Sequence, residues 1–252
     1  MEHLHVRTNG AAFHVAKTGA GQPLMLLHGW PEFWLTWEPV MTRLASRFTL
    51  YAPDLRGFGD SDKPDGPFGP DQQAADMKAL IDALGLQKAG IVGHDVGGAL
   101  MQPLARGAPE RIAGLFFFDF VYPGIGPRMA EPDRLNNIWY QSFHQMEMAP
   151  ALVGASRESC RTYISHFLRN WSHRKDAFDD AIETFTGGDD EGRGAKTSAD
   201  RGADLRALGR ARSAVSLCLD GQARRHLLQS RSGDVCGRRP LPPPRGPGPR
   251  GS

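Results

Sequence analysis

A chain of 252 residues is long enough for one sizeable α/β domain with an inserted lid. Its formal net charge of +2 conceals an asymmetry: residues 189–252 hold 13 Lys and Arg against 7 Asp and Glu, while residues 1–188 carry an excess of acid, so the basic balance belongs to the tail and is no nucleic-acid footprint. Three cysteines without metal-ligand spacing argue for reduced thiols and a cytoplasmic setting, residues 1–8 do not read as a signal peptide, and the longest apolar run, 115–121, is broken by Asp119 and too short to span a bilayer.

Six short, mostly apolar segments, 3–8, 12–17, 23–27, 48–52, 89–92 and 112–118, read as strands buried on both faces of a sheet. Helical patterns over 34–46, 72–86 and 96–105 lie between them, although Pro103 fits the third badly and should kink or end it. Such alternation over residues 1–122 predicts an α/β core with a mostly parallel, doubly wound sheet. Residues 123–187 change character. Trp139, Tyr140, Phe143, His144, Tyr163, Phe167 and Trp171 sit among helix formers without clear strands, which predicts a helical lid after the sixth strand. From residue 188 the composition changes again: the last aromatic residue is Phe185, and the remaining residues hold 12 arginines, one lysine and a Pro/Gly/Arg-rich end. No periodicity there could bury a core, so a disordered tail is expected.

The chemistry concentrates at Ile91-Val92-Gly93-His94-Asp95-Val96-Gly97-Gly98, a strand running through small residues into a helix. This is the pattern G-x-Nu-x-G of a nucleophile elbow, with Asp95 in the nucleophile position. Flanking glycines ease the strained turn, and the helix start offers backbone N–H groups and positive dipole character to a developing anion. An ordinary glycine-rich turn with a capping Asp is the plain alternative. His28-Gly29-Trp30-Pro31 follows the third strand, where the N–H of Trp30 could pair with that of Val96 as an oxyanion hole. Asp54-Leu55-Arg56-Gly57-Phe58-Gly59-Asp60-Ser61, after the fourth strand, reads as a structural turn without chemistry, and His28 and His94 read as structural rather than basic.

In this order and spacing, the three motifs resemble the α/β-hydrolase superfamily, in its epoxide hydrolase and haloalkane dehalogenase branch, over about residues 20–185. The resemblance implies an Asp nucleophile that displaces a leaving group at saturated carbon and forms an alkyl-enzyme ester, which water activated by a His then hydrolyses. It implies a small-molecule epoxide or alkyl halide as substrate, with no cofactor, metal, nucleic acid or membrane partner. Trp139-Tyr140-Gln141-Ser142-Phe143 is similar to the family segment bearing a ring-opening Tyr, which gives Tyr140 the role of acid; a buried lid aromatic is the alternative. Dehalogenases of the branch usually carry Trp or Arg after the nucleophile, and epoxide hydrolases often Trp, where this chain has Val96.

The family's C-terminal His, in a G-H-F-P-like context, and its acidic partner are missing. His226 stands in no such context, and Asp119 is an acid in an alternative position without a His to orient. Codons for residues 237–247, read from their second base, can encode V-G-H-F-P-H-R-E-D-P, and the same shift over 206–216 permits V-L-W-G-E-H-D-P-L-F. Both match family motifs, in order, which points to a frameshift near residues 186–188 and to a chain without its catalytic His. An Arg-rich tail with its own binding role is the alternative. Without the family's further strands, the sixth strand would be an edge exposing Leu115, Phe116, Phe117 and Phe118.

Overall fold

The structure, a computed structural model, describes residues 1–120 and 131–186. Strands β1 (Glu2–Thr8) and β2 (Ala11–Gly19) form a hairpin that turns at Asn9 and Gly10, both at positive φ, as a two-residue turn matched to strand twist requires. With β3 (Gln22–Leu27), β4 (Phe48–Pro53), β5 (Ala89–His94) and β6 (Ile112–Phe118) they build one six-stranded sheet in the order β1-β2-β4-β3-β5-β6. β4, β3, β5 and β6 are mutually parallel, whereas β2 meets β4 antiparallel, so the sheet is mixed. All six expected strands are present.

β3 shows why the sequence commits to this layering. Met25 and Leu27 enter a core beneath α2 (Pro70–Ala83) and α4 (Met101–Gly107), while Leu24 and Leu26 face a second core formed with Trp34, Trp37 and Met41 of the segment through α1 (Glu38–Leu44). Full burial of each such side chain contributes about 1.5–3 kcal/mol, so a strand apolar at every position is stable only between two helical layers. The expectation of burial on both faces fails at the two sheet edges. β1 is buried on one side at most, and in β6 Leu115, Phe116, Phe117 and Phe118 are 37%, 64%, 46% and 42% exposed, because no strand or helix layer among the described residues closes that edge.

Two helical expectations need correction. The segment predicted as a helix over 34–46 opens as a 3-10 turn at Trp34–Trp37 before α1 begins. The predicted helix over 96–105 is divided at Leu100 into α3 (Val96–Ala99) and α4. Pro103 has no N–H for the Ala99 carbonyl and its ring crowds that carbonyl, so the break falls upstream of the proline. Beyond β6 the described residues form helices and no strand: α5 (Pro132–Asn137), α6 (Trp139–Phe143), α7 (Met148–Val153), α8 (Arg157–Trp171) and α9 (Ile182–Phe185). Ser156 caps α8 by accepting the Ser159 N–H at 3.0 Å. The expectations for residues 121–130 and for the tail from 188 onward lie outside the described residues. Among the described residues no helix is long and apolar enough to cross a membrane.

The loop after β4 is fastened to α2 by a buried ion pair. Arg56 Nε and Nη2 donate to the two carboxylate oxygens of Asp76, each at 2.6 Å, and Asp76 also accepts from Asn9 and Gln72. Removing one partner strands the other charge in the core, so Asp76→Ala should destabilise the chain by about 3–5 kcal/mol in urea titration. Lys78→Ala, which breaks the exposed pair with Asp82 one turn on, should change stability by only about 0.5 kcal/mol.

Candidate active site

Asp95 follows the last residue of β5 with φ 48° and ψ −108°, a conformation that only surrounding structure can hold in a residue with a Cβ. Its N–H donates to the Phe118 carbonyl at 3.3 Å and its carbonyl accepts from Ala99 at 2.9 Å, which pins the turn between β6 and α3. The glycines act through space rather than through φ. A Cβ on Gly29 would stand 2.5 Å from the Asp95 Cβ, and one on Gly97 would stand 2.3 Å from the Leu27 carbonyl oxygen. Positive φ belongs to Asp95 itself, and the flanking glycines ease the turn by close approach: a Cβ on Gly93 would stand 2.4 Å from the Gly97 carbonyl oxygen.

The carboxylate meets the loop after β3. Trp30 N–H donates to Asp95 Oδ1 at 2.9 Å, and Gly97 N–H donates to the His28 carbonyl at 3.0 Å, so the two motifs, 65 residues apart, are tied by two hydrogen bonds. Val96, buried, is the first residue of α3, a single turn of four residues. Local N–H groups rather than a long macrodipole are what such a turn presents.

The Trp30 indole is the floor of an aromatic box. Tyr140 of α6 stacks on it at 5.3 Å and 7°, and Phe167 of α8 and His144 meet it edge-on at 4.9 Å. Trp171 and Tyr163 complete the group, and the Tyr163 hydroxyl lies 2.7 Å from His144 Nε2. Trp30, Asp95, Val96 and Tyr140 therefore gather at one place. The Tyr163–His144 pair was missed in the sequence, where the spacing of Tyr163, Phe167 and Trp171 by four residues marks one face of α8.

His28 is structural, as expected. Its Nδ1 donates to the Gly29 carbonyl at 2.9 Å and its Nε2 accepts the Leu55 N–H at 3.0 Å. Burial lowers its pKa against the pull of nearby carboxylates, which keeps it neutral. The Asp54 loop is likewise a clamp: Asp54 accepts from Trp34 N–H, Asp60 N–H and His14 Nδ1 at 2.8–2.9 Å. His14, Asp54 and Asp60 are close enough to share a metal ion, but both Asp54 oxygens are already engaged by backbone donors.

His94 was read as structural, and it is built into a charged cluster beside Asp95. Nδ1 lies 3.1 Å from Glu32 Oε2, Nε2 lies 3.5 Å from Asp119 Oδ2, and the ring stacks on Phe118. Asp119 thus has a histidine beside it, a partner the sequence did not disclose. Burial alone would lower the His94 pKa, but the Glu32 hydrogen bond and charge, with Asp95 and Asp119, outweigh it and raise the pKa to about 9.

A model of the alpha/beta hydrolase fold matches residues 22–176. The chain belongs to this family. It is 42% identical over 173 residues to a soluble epoxide hydrolase of Corynebacterium sp. (strain C12), covering 67% of this chain and 59% of the relative. It is 37% identical over 157 residues to epoxide hydrolase 4 of Mus musculus, covering 60% and 44%. The chain thus spans about three fifths or less of these relatives. The solved structure of the epoxide hydrolase CorEH without ligand superposes with a TM-score of 0.72 at 28% identity, over 87% of this chain and 77% of that one.

A histidine whose pKa is raised on folding stabilises the folded state fully below its ordinary value of 6.5, and that contribution is lost as pH rises through about 9. A shift of this size corresponds to roughly 3 kcal/mol. The thermal midpoint of the chain should fall between pH 6.5 and pH 9, and His94→Gln should remove that part of the slope.

Proposed function

We propose that this α/β-hydrolase is built to open epoxides through a covalent ester on Asp95, and that the chain as written stops at that ester. The observation that supports this reading most is the carboxylate of Asp95 on a strained elbow, one oxygen held 2.9 Å from the Trp30 N–H, beside a wall of aromatic rings. A carboxylate oxygen of Asp95 attacks a ring carbon. The C–O bond of the epoxide breaks, and the electron pair goes to the ring oxygen, which takes the phenolic proton of Tyr140. In a chain that carries a general base, that base would take a proton from water as the water adds to the ester carbon, the Trp30 and Val96 N–H groups would hold the oxyanion, and the ester C–O bond would break to release the diol and re-form the Asp95 carboxylate. The segment 123–187, whose described residues include α5 to α9, acts as the lid, and the chain works in the cytoplasm.

Ester hydrolysis needs a general base. No histidine of the sequence stands in the family's C-terminal context, and a frameshift near residues 186–188 accounts for its loss. Restoring the frame should restore turnover, and sequencing the gene across codons 180–190 tests the shift directly.

Treated with styrene oxide, the 252-residue chain should gain one covalent adduct by intact mass, mapped to Asp95 and absent from Asp95→Ala. Tyr140→Phe should slow adduct formation about a hundredfold. Repeated turnover that depends on Asp95 would defeat the stalled-ester reading. Halide release from haloalkanes by the frame-restored chain, without diol formation from epoxides, would replace the epoxide by a dehalogenase.

A further inference from the structure

We propose that β6 is a homodimerisation edge, on which a second copy of this chain adds its own β6 antiparallel about a two-fold axis through Leu115. The inference rests on the geometry of β6 alone and is independent of what Asp95 does.

Among the described residues β6 has β5 as its one strand neighbour, so no described strand takes the outer N–H and C=O groups of its ladder. The strand, Ile-Ala-Gly-Leu-Phe-Phe-Phe, contains no charge and no proline. Either absence removes a common defence against pairing. Its apolar side chains are exposed on both faces of the sheet, not merely along the edge. An edge of this kind accepts any strand, and what selects a second copy is the order of residues along it.

Antiparallel pairing centred on Leu115 engages all seven residues and sets opposite one another side chains that share a face. Phe116 of each copy then covers Gly114 of the other, where a Cβ would meet nothing within 4 Å. Phe117 meets Ala113, Phe118 meets Ile112, and Leu115 meets itself. Large side chains thus fall against small ones along most of the strand, and an aromatic ring shields the exposed glycine backbone, a pairing that stabilises glycine in sheets. The charges just outside the strand are also complementary. Arg111 precedes β6 and Asp119 follows it, so each end of the joined ladder brings one of each sign together. Arg111 already pairs with Asp82, but the Asp119 side chain is 84% exposed and turned outward enough to answer a second cation.

The alternatives lose these matches. A parallel pair sets Phe116 against Phe116 and Arg111 against Arg111, and its symmetry does not close. An antiparallel pair shifted to centre on Phe116 brings Asp119 against Ala113 and leaves Ile112 unpaired. The centred arrangement is isologous and closes at two copies, which predicts a discrete dimer whose sheet runs continuously through both copies and joins the six strands described in each chain.

The test uses the full chain with Cys160, Cys218 and Cys236 replaced by Ser, and one cysteine introduced at a time. Leu115→Cys places two cysteines directly opposite with their Cα atoms about 4.5–5.5 Å apart, within disulfide reach. Ala113→Cys places its two thiols roughly 13 Å apart, four residues out of step, and beyond reach. Mild oxidation should therefore give a disulfide dimer with Leu115→Cys and none with Ala113→Cys, while a mixture of Ala113→Cys and Phe117→Cys chains should cross-link to each other. Sedimentation should give twice the monomer mass for the cysteine-free chain and the monomer mass for Phe116→Lys. Equal cross-linking at Ala113 and Leu115 would indicate unspecific aggregation and overturn the proposal. So would a monomeric cysteine-free chain, and a monomer whose β6 amides resist hydrogen exchange would assign the edge to the chain's own remaining residues instead.

Discussion

Trp30 belongs to two parts of the molecule at once. Its backbone N–H faces the Asp95 carboxylate, and its indole carries Tyr140, Phe167 and the rest of the aromatic group supplied by the helices beyond β6. The loop that bears it can hold this position because β3 and β5 are hydrogen-bonded in parallel register, Leu27 beside Gly93, so that both strands end at the same level. Ligand sites in open α/β sheets lie beyond the carboxyl ends of the strands for this reason: parallel neighbours deliver their following loops to one side. A shift of register by one residue would separate Trp30 from Asp95 and exchange the side chains of β3 between its two cores.

Electrostatics around that junction are one-sided. Glu32 comes from the loop after β3, Asp95 from the elbow and Asp119 from the end of β6, and His94 sits among all three with a charge that persists well above neutral pH. Three carboxylates from three strand ends converge on one imidazolium. In the partly buried surroundings of His94, whose side chain is 21% exposed, that cation moderates a repulsion that would otherwise push the strand ends apart.

Much of this was legible in the sequence, and what was not has physical causes. The inner strands could be read because two-sided burial writes itself as unbroken apolar runs, as in Leu24 to Leu27. The tight turn at Asp95 could be read because its requirement for small residues is local: Gly97 has no room for a Cβ against the Leu27 carbonyl, whatever the rest of the chain does. The division at Leu100 was half legible, since Pro103 announces a disturbance while the affected carbonyl lies four residues earlier. The stacking of Tyr140 on Trp30 was beyond reach, because it joins residues far apart and depends on how α6 settles on the sheet. The same holds for Glu32 and Asp119, whose meeting at His94 follows from strand register and leaves no local signature. The exposed run in β6 could be anticipated only from strands that the resemblance led one to look for and that the sequence did not supply.

The backbone at Asp95 bears on how such a gene changes over generations. At φ 48° and ψ −108° a glycine would be at ease and an aspartate is not, so chemistry alone argues for the aspartate. Gly97 stands in the opposite position: packing forbids every larger residue there regardless of activity. In a lineage released from selection for turnover, drift would therefore erase the aspartate while leaving the turn around it intact. The retained glycines would then record an ancestry that the missing carboxylate no longer declares.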